Sequence, residues 1–206
     1  MPAFFNRNTP DNPSQPKNCD DQASSTDTIR IGLLNNMPDA ALEAAERQFL
    51  GLLNSAAGSL NVSLSLYALP GIPRTDAGQQ HLDRSYRNLD DLLSNRLDGL
   101  IVTGTEPRHS NLAEEPYWAD LTRVIYCAEP NTYSTVWSCL AAHAAVLPLD
   151  GIRRHRLKRK RFGVLKCTRV SAHEIPAGLP PAIWVPHSRW NDIRSEDLTD
   201  RGYQIF

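Results

Sequence analysis

The sequence predicts an α/β domain built around a parallel β-sheet. Short apolar runs of strand length alternate with longer amphipathic segments from Ile29 to about Leu147. The clearest run, Asp98–Gly104, has Leu-Ile-Val near its centre and a glycine at its end. Because strands that alternate with helices form parallel sheets, we expect helices on both faces of the sheet. A chain of 206 residues, 41% of them hydrophobic, can form one such domain with a substantial core.

The first half of the pattern contains three strands and two helices. The strands are predicted at Ile29–Leu34, Val62–Leu69 and Asp98–Gly104. Asp39 is expected to cap a helix that runs through Leu53, because its apolar residues fall near one face. Pro70–Gln80, with Gly, Pro and Asp, predicts a loop, and Leu89–Leu97 predicts a short helix.

The second half continues the alternation and then weakens. A helix is predicted at Tyr117–Cys127, a strand at Ser134–Ser138 and a helix at Leu140–Leu147. After Gly151 only two short strands are predicted, at Phe162–Lys166 and Ile183–Val185.

The two ends of the chain differ from this pattern. Residues 1–28 are rich in Asn, Asp, Ser, Pro and Gln without periodicity, which predicts a disordered leader. The acyltransferase-type domain inferred below would then occupy residues 29–206. Tyr203–Phe206 resembles the middle of another strand, so we expect this domain to be incomplete at its C-terminus.

Bulk composition excludes several classes of function. The 22 basic and 23 acidic side chains nearly cancel, so no overall charge directs the chain to nucleic acid or membranes. No apolar run approaches the roughly 20 residues of a membrane-spanning helix, and the N-terminus lacks a signal peptide. The four cysteines lack metal-site or disulfide spacing, so we expect no metal and a reducing, cytoplasmic location.

Cys139 lies in the most informative segment of the chain. An apolar strand leads into Cys139, and a helix of small residues, including Ala141 and Ala142, begins directly after it. A strand–turn–helix junction exposes a nucleophile and directs helix N–H groups at the same point. The helix N-terminus would lower the pKa of the thiol and stabilise an oxyanion. The alternative is that Cys139 is a small buried apolar residue, which is the commoner role of an unpaired cysteine.

A series of short motifs follows in a fixed order. They are Leu33–Pro38, Glu46–Leu50, Leu82–Tyr86, Leu97–Gly104, Tyr117–Trp118, Ser134–Thr135 with Cys139, Asp150–Ile152, Gly163–Val164 and Pro186–Arg189. In this order and spacing, the chain from Ile31 to about Ile193 resembles the homoserine O-succinyltransferase (homoserine O-acyltransferase) family. The resemblance implies a class I glutamine amidotransferase-like fold, which is a flavodoxin-like, three-layer α/β domain.

The resemblance also implies a reaction. Cys139 would attack succinyl- or acetyl-CoA to form an acyl-thioester, and the hydroxyl of homoserine would then accept the acyl group. This reaction belongs to methionine biosynthesis. Acyl-CoA would be a co-substrate, so no bound cofactor is expected. The partners would be small molecules rather than nucleic acid or a membrane, and a homodimer is left open.

Three further site residues are implied by position. Lys160 matches the family's substrate-binding lysine, and Ser188 matches a substrate-contacting serine. Arg108 falls where the family selects the acyl donor with Gly or Glu, so arginine is a departure that could bind a succinyl carboxylate. Each has a plainer alternative: Lys160 as a solvated charge, Ser188 as a turn residue, and Arg108 as a side chain in solvent.

Other departures concern the general base and the Met-Pro segment. The family's base is a histidine followed two residues later by glutamate, in a His-Pro-Glu-Tyr segment that this chain lacks. His143 and His187 are the nearest substitutes by sequence. Asp39 stands where the family has a lysine after Met-Pro.

Two other functions remain open at this stage. One is a non-catalytic remnant of the fold, since the base is missing. The other is a glutamine amidotransferase-like hydrolase, although Trp137–Ala141 lacks the Gly-x-Cys-x-Gly typical of that class. The basic run Arg153–Arg161, with seven Arg or Lys in nine residues, predicts a CoA-phosphate contact or an exposed loop rather than a nucleic-acid site.

Overall fold

A computed structural model describes residues 4–5, 28–171, 178 and 180–206. The chain divides into two compact units, Met1–Ala142 and His143–Phe206, which are treated separately below. The elements are β1 (Phe4–Phe5), β2 (Thr28–Leu34), α1 (Asp39–Ala57), β3 (Asn61–Tyr67), α2 (Asp76–Ser85), α3 (Leu89–Ser94), β4 (Leu97–Val102), a 3₁₀ turn (Leu112–Glu114), α4 (Trp118–Asn131), β5 (Thr132–Trp137), α5 (Leu140–Asp150), β6 (His155–Thr168), β7 (Ala182–Asp192) and α6 (Ser195–Thr199).

The first unit contains a parallel sheet with the strand order β1-β3-β2-β4-β5. The chain passes from β2 to β3 on one side and then returns to place β4 on the other side of β2. The order of strands therefore changes direction between β2 and β4. In open α/β sheets, ligands bind beyond the carboxyl ends of the strands at such a switch point. The topology thus directs attention to the residues that follow β2 and β4.

One face of the sheet packs against α1. Leu33, Leu64 and Leu66 from the strands form a buried cluster with Leu42 of α1 and with Tyr86, which follows α2. Partly buried residues complete this cluster: Ile31, Phe49, Leu50, Leu53, Ala68, Leu82 and Ile101. Apolar side chains at helical spacing on α1 therefore bury the β2 and β3 surface, as the sequence pattern predicted.

The opposite face packs against α3 and α4. Leu92 of α3 and Val124 and Ala128 of α4 line a small pocket together with Leu97 and Leu100 of β4. All five side chains are buried. Helices therefore lie on both faces of the sheet, which confirms the predicted α/β layering.

The edge strand β5 is less covered than predicted. Tyr133 is 91% exposed and Val136 is 54% exposed. The alternation of apolar and polar residues in β5 does not place its apolar side chains in the core. The expectation of two covered faces therefore holds for the inner strands and fails for this edge.

Predicted and observed boundaries agree most closely for the strands. Each end of β2, β3, β4 and β5 lies within two residues of its predicted position. The helices α1, α4 and α5 run three or four residues further than predicted, whereas Leu97, predicted to end α3, begins β4. Strand ends are better defined because the ladder stops where the apolar run stops.

Two local predictions near α2 were wrong. Gln80 and the four residues before it belong to α2 rather than to a loop, and Thr75 caps this helix by accepting from the Gly78 amide at 3.2 Å. Asp39 does not cap α1. Instead its carboxylate accepts hydrogen bonds from the Thr75 amide and hydroxyl, both at 2.7 Å. These bonds to Thr75, supported by Arg74, lower the pKa of Asp39.

The second unit is built on an antiparallel pair of long strands, β6 and β7. The predicted strands at 162–166 and 183–185 are segments of these two elements. The basic run does not form a loop, because residues 155–161 belong to β6. Tyr203–Phe206 follows a turn after α6 and contains no strand, so that prediction was wrong.

Part of the predicted leader is described. Phe4–Phe5 forms a parallel strand beside β3, and Thr28 already belongs to β2. Residues 1–3 and 6–27 lie outside the described residues, and disorder there stays a prediction. Within the described part of the chain, no helix is long and apolar enough to cross a membrane.

Candidate active site

Cys139 occupies a sharp turn between β5 and α5. Its φ of 59° is the single positive value for a non-glycine residue among those described. An L-residue in this left-handed region costs roughly 1–3 kcal/mol, so the flanking elements must hold it there. Ser138 donates to the Val102 carbonyl at 2.9 Å, and Ala142 donates to the Cys139 carbonyl at 3.2 Å. The turn therefore begins on the sheet and ends in the first turn of the helix.

The geometry of this turn suits a nucleophile. The Cys139 side chain is exposed, so it is not the buried apolar residue of the alternative interpretation. Leu140 is the first residue of α5, and the first N–H groups of a helix have no intrahelical acceptor. Such N–H groups can stabilise negative charge that develops next to the sulfur. This is the arrangement of a nucleophile elbow.

Gly104, which follows β4, lies directly against this turn. A Cβ atom at Gly104 would lie 2.7 Å from the Leu140 nitrogen and 2.9 Å from the Leu140 Cβ. Only glycine permits so close an approach of the two backbones. The end of β4 and the start of α5 are therefore packed together beside Cys139.

Asn36 joins the loops at the switch point. Its amide nitrogen donates to Thr103 Oγ1 at 2.7 Å, and its Nδ2 donates to the Thr103 carbonyl at 3.0 Å. Its Oδ1 accepts from the Leu69 amide at 3.3 Å. Asn36 is 2% exposed, so these bonds are shielded from water. They fix the residue that precedes Gly104, and the Asn-Asn pair that ends the β2 segment was the sequence signal for them.

A second buried network holds Asn35. Its Nδ2 donates to the Tyr86 hydroxyl at 2.9 Å, and the Tyr86 hydroxyl donates to Glu46 Oε1 at 2.7 Å. His81 Nε2 lies 2.8 Å from the same Glu46 oxygen. Burial, together with the hydrogen bond to Glu46, raises the pKa of Tyr86, so the phenol stays protonated and can donate. The polar groups that follow β2 are therefore positioned by a network that sequence motifs did not reveal.

Arg108 lies on the loop that leaves the carboxyl end of β4. Its side chain is exposed, and no ion pair of its guanidinium is found among the described residues. Its backbone N–H donates to Glu115 Oε1 at 2.7 Å. The structure thus places Arg108 and Cys139 on loops that leave neighbouring strands, β4 and β5, at the same edge of the sheet.

The second unit contains the two other implied site residues. Ser188 of β7 pairs with Phe162 of β6, and Lys160 Nζ lies 5.4 Å from the centre of the Phe162 ring. Lys160 falls between Arg156 and Arg161, where the strand register shifts. Lys160 and Ser188 are therefore brought together around one exposed aromatic ring, which the sequence motifs did not single out.

The two candidate substitute bases also lie in this unit. Burial, together with the positive charge of Arg154, lowers the pKa of His143 and favours its neutral form. His187 Nε2 lies 3.6 Å from the sulfur of Cys167. A neutral imidazole is the form that accepts a proton. The role of either histidine as a base stays a prediction.

Comparison with solved structures supports the fold. A Thermoplasma acidophilum protein assigned to GMP synthase aligns with a TM-score of 0.50 and 21% identity. The alignment covers 81% of this chain and 67% of that one. The chain therefore has the predicted class I glutamine amidotransferase-like fold.

Sequence comparison identifies the family. The model of the homoserine O-succinyltransferase family matches residues 16–206. The homoserine O-succinyltransferase of Rhodopseudomonas palustris is 48% identical over 185 residues, which are 90% of this chain and 56% of that protein. Those of Methylorubrum extorquens and Bradyrhizobium japonicum are 46% and 42% identical, over 86% and 92% of this chain and 52% and 59% of those proteins. The chain spans about half the length of these curated relatives, and it belongs to the homoserine O-succinyltransferase family.

Proposed function

We propose that this chain transfers an acyl group from acyl-CoA to the hydroxyl of homoserine through a thioester on Cys139. The observation that carries the proposal is the exposed, left-handed Cys139 between β5 and α5. The family supports homoserine as the acceptor. We place the reaction in cytoplasmic methionine biosynthesis.

The first step forms the acyl-enzyme. The Cys139 sulfur attacks the thioester carbonyl, and the carbonyl electrons move onto oxygen beside the start of α5. The tetrahedral species then collapses, the bond to the CoA sulfur breaks, and CoA leaves as a thiol after it takes up a proton. This step exchanges one thioester for another, so it requires no further co-reactant.

The second step requires a base. The homoserine hydroxyl attacks the Cys139 thioester and must lose its proton, while the cysteine sulfur takes one up. Within the described residues of the first unit, no side chain hydrogen-bonds to the Cys139 sulfur. Positioned bases contribute roughly 10²–10⁴-fold, so we propose that acylation of this chain is faster than discharge.

Homoserine is expected to discharge the acyl-enzyme slowly and to give an O-acyl ester. The matched control is 2-aminobutyrate, which keeps the amino acid backbone and lacks the hydroxyl. Chains acylated with succinyl-CoA would be separated from CoA, incubated with each amino acid and followed by intact mass. Release of O-succinylhomoserine with homoserine, and no ester with 2-aminobutyrate, supports the acceptor. Equal rates of adduct loss with the two amino acids would reject homoserine.

We further propose that the donor is succinyl-CoA and that Arg108 binds its free carboxylate. A guanidinium without an internal carboxylate partner can form a charge-assisted pair with this group. Removing such a pair costs ~1.5–3 kcal/mol, or roughly 10- to 150-fold. Arg108→Gly should therefore slow acylation by succinyl-CoA by that factor and change acetyl-CoA little. Equal losses with the two donors would exclude the clamp. Arg84→Gly, at an exposed arginine on α2, is the control.

A further inference from the structure

We propose that Glu115 is the positioning residue for Arg108 and thereby sets acyl-donor selection. This inference rests on the proposed function, because it concerns the same donor site. The chemistry is that of a buried carboxylate that binds two consecutive backbone N–H groups. Its ligand-facing consequence is the position of the Arg108 guanidinium.

The contact itself is short and shielded. Glu115 Oε1 accepts from the Arg108 N–H and the His109 N–H, both at 2.7 Å. Glu115 is 4% exposed, and its Oε2 is buried without a hydrogen-bond partner among the described residues. Charge-assisted hydrogen bonds of this length are stronger than neutral ones, especially away from water. The carboxylate is therefore held by these two amides.

Glu115 is a firm anchor because its own backbone is fixed. It follows the 3₁₀ turn, where its N–H donates to the Leu112 carbonyl at 3.1 Å. Its carbonyl accepts from the Trp118 N–H at 2.9 Å, at the start of α4. The side chain therefore connects the loop at Arg108 to a helix that packs on the sheet.

This connection matters because the Arg108 side chain is exposed and makes no ion pair of its own among the described residues. A loop fixed in the binding geometry loses less conformational entropy when the donor binds. The backbone at Arg108 leaves β4 four residues after Gly104, which touches Leu140 beside the nucleophile. Fixing Arg108 N–H therefore fixes the origin of the guanidinium with respect to Cys139.

The neighbouring residue provides a matched control. Glu114 is exposed and accepts from Asn111 Nδ2 at 3.3 Å rather than from the Arg108 or His109 backbone. Glu114→Gln should therefore behave as the unchanged chain. Glu115→Leu removes both acceptors at similar volume, whereas Glu115→Gln keeps a carbonyl oxygen that can accept from both amides.

The first readout is amide hydrogen exchange, which does not depend on acyl transfer. In Glu115→Leu, exchange at Arg108 and His109 should accelerate at least roughly tenfold, and the core of the sheet should be unchanged. Glu115→Gln should restore most of the protection. Unchanged exchange at these two amides in Glu115→Leu would overturn the proposed anchoring.

The second readout is the rate of Cys139 acylation against donor concentration. Glu115→Leu should lower the succinyl-over-acetyl preference roughly tenfold through weaker donor binding, with the limiting rate little changed. Combining it with Arg108→Gly should give no further loss of preference. Additive losses, or a preference equal to that of Glu114→Gln, would overturn the role in selection. If the unchanged chain showed no acylation, the proposed function and this selection role would both fail, while hydrogen exchange would still decide the anchoring.

Discussion

Cys139→Ser should abolish formation of a stable acyl adduct when the chain is incubated with succinyl-CoA. The replacement keeps the size of the side chain and its position between β5 and α5. A serine hydroxyl remains protonated near neutral pH, however, whereas a thiol supplies a fraction of reactive thiolate. Because the rest of the site is unchanged, the loss of the adduct would reflect the missing sulfur. The measurement is the intact mass of the folded chain after a timed incubation.

Two other cysteines serve as matched controls. The Cys127 sulfur is partly buried on α4 and donates to the Leu93 carbonyl at 3.4 Å, and Cys167 is partly buried beside His187. Cys127→Ser and Cys167→Ser should acylate at the rate of the unchanged chain. An adduct that survives in Cys139→Ser but is lost in Cys167→Ser would transfer the nucleophile role to the second unit.

Gly104→Ala is expected to destabilise the chain and slow acylation at Cys139. The new methyl group would lie 2.7 Å from the backbone nitrogen of Leu140, so β4 or the start of α5 has to move. Overpacking of this kind costs roughly 1–3 kcal/mol of unfolding free energy. A displacement of about 1 Å at a reacting group can reduce the rate by roughly 100-fold. Urea unfolding and the acylation rate would be measured on the same sample.

Gly51→Ala separates this effect from a general response to alanine. A Cβ at Gly51, within α1, would meet no atom within 4 Å. This variant should be more stable by about 0.5–1 kcal/mol, because alanine favours a helix interior, and should acylate normally. If Gly104→Ala were as stable and as reactive as Gly51→Ala, the close packing of β4 on α5 would not position the nucleophile.

The strands of the sheet were predictable because their signal is local. A buried strand such as β4 requires consecutive apolar residues, and few other structures accommodate them. The start of α2 was missed although Thr75 stands before it, because Gly and Pro in the preceding stretch suggested a loop. The N-capping hydroxyl was the signal that could have identified this helix.

The β6–β7 pair was underestimated for a different reason. Strands exposed on their faces show no apolar alternation, so the basic run of β6 had no strand signal of its own. Its length comes from backbone pairing with β7 rather than from side-chain pattern. Charge density in a sequence thus gave no information about whether the segment is a loop or a strand.

The candidate site was predictable at one residue and not in its surroundings. Cys139 could be found because an elbow requires a strand, a reactive residue and a helix in immediate succession. Glu115 could not, because its amide partners lie six and seven residues away and no motif requires a carboxylate there. Asn36 is similar: its three bonds reach two other strand ends that only the folded sheet brings together.

Locating the acyl group on the chain tests the central claim most directly. The unchanged chain would be incubated with succinyl-CoA, digested under mildly acidic conditions and analysed by peptide mass spectrometry, with and without hydroxylamine. We predict one succinyl group on the peptide that contains Cys139, and its removal by hydroxylamine, as expected for a thioester. An adduct confined to lysine and resistant to hydroxylamine, or no adduct on a folded sample, would contradict the assignment of Cys139 as the nucleophile.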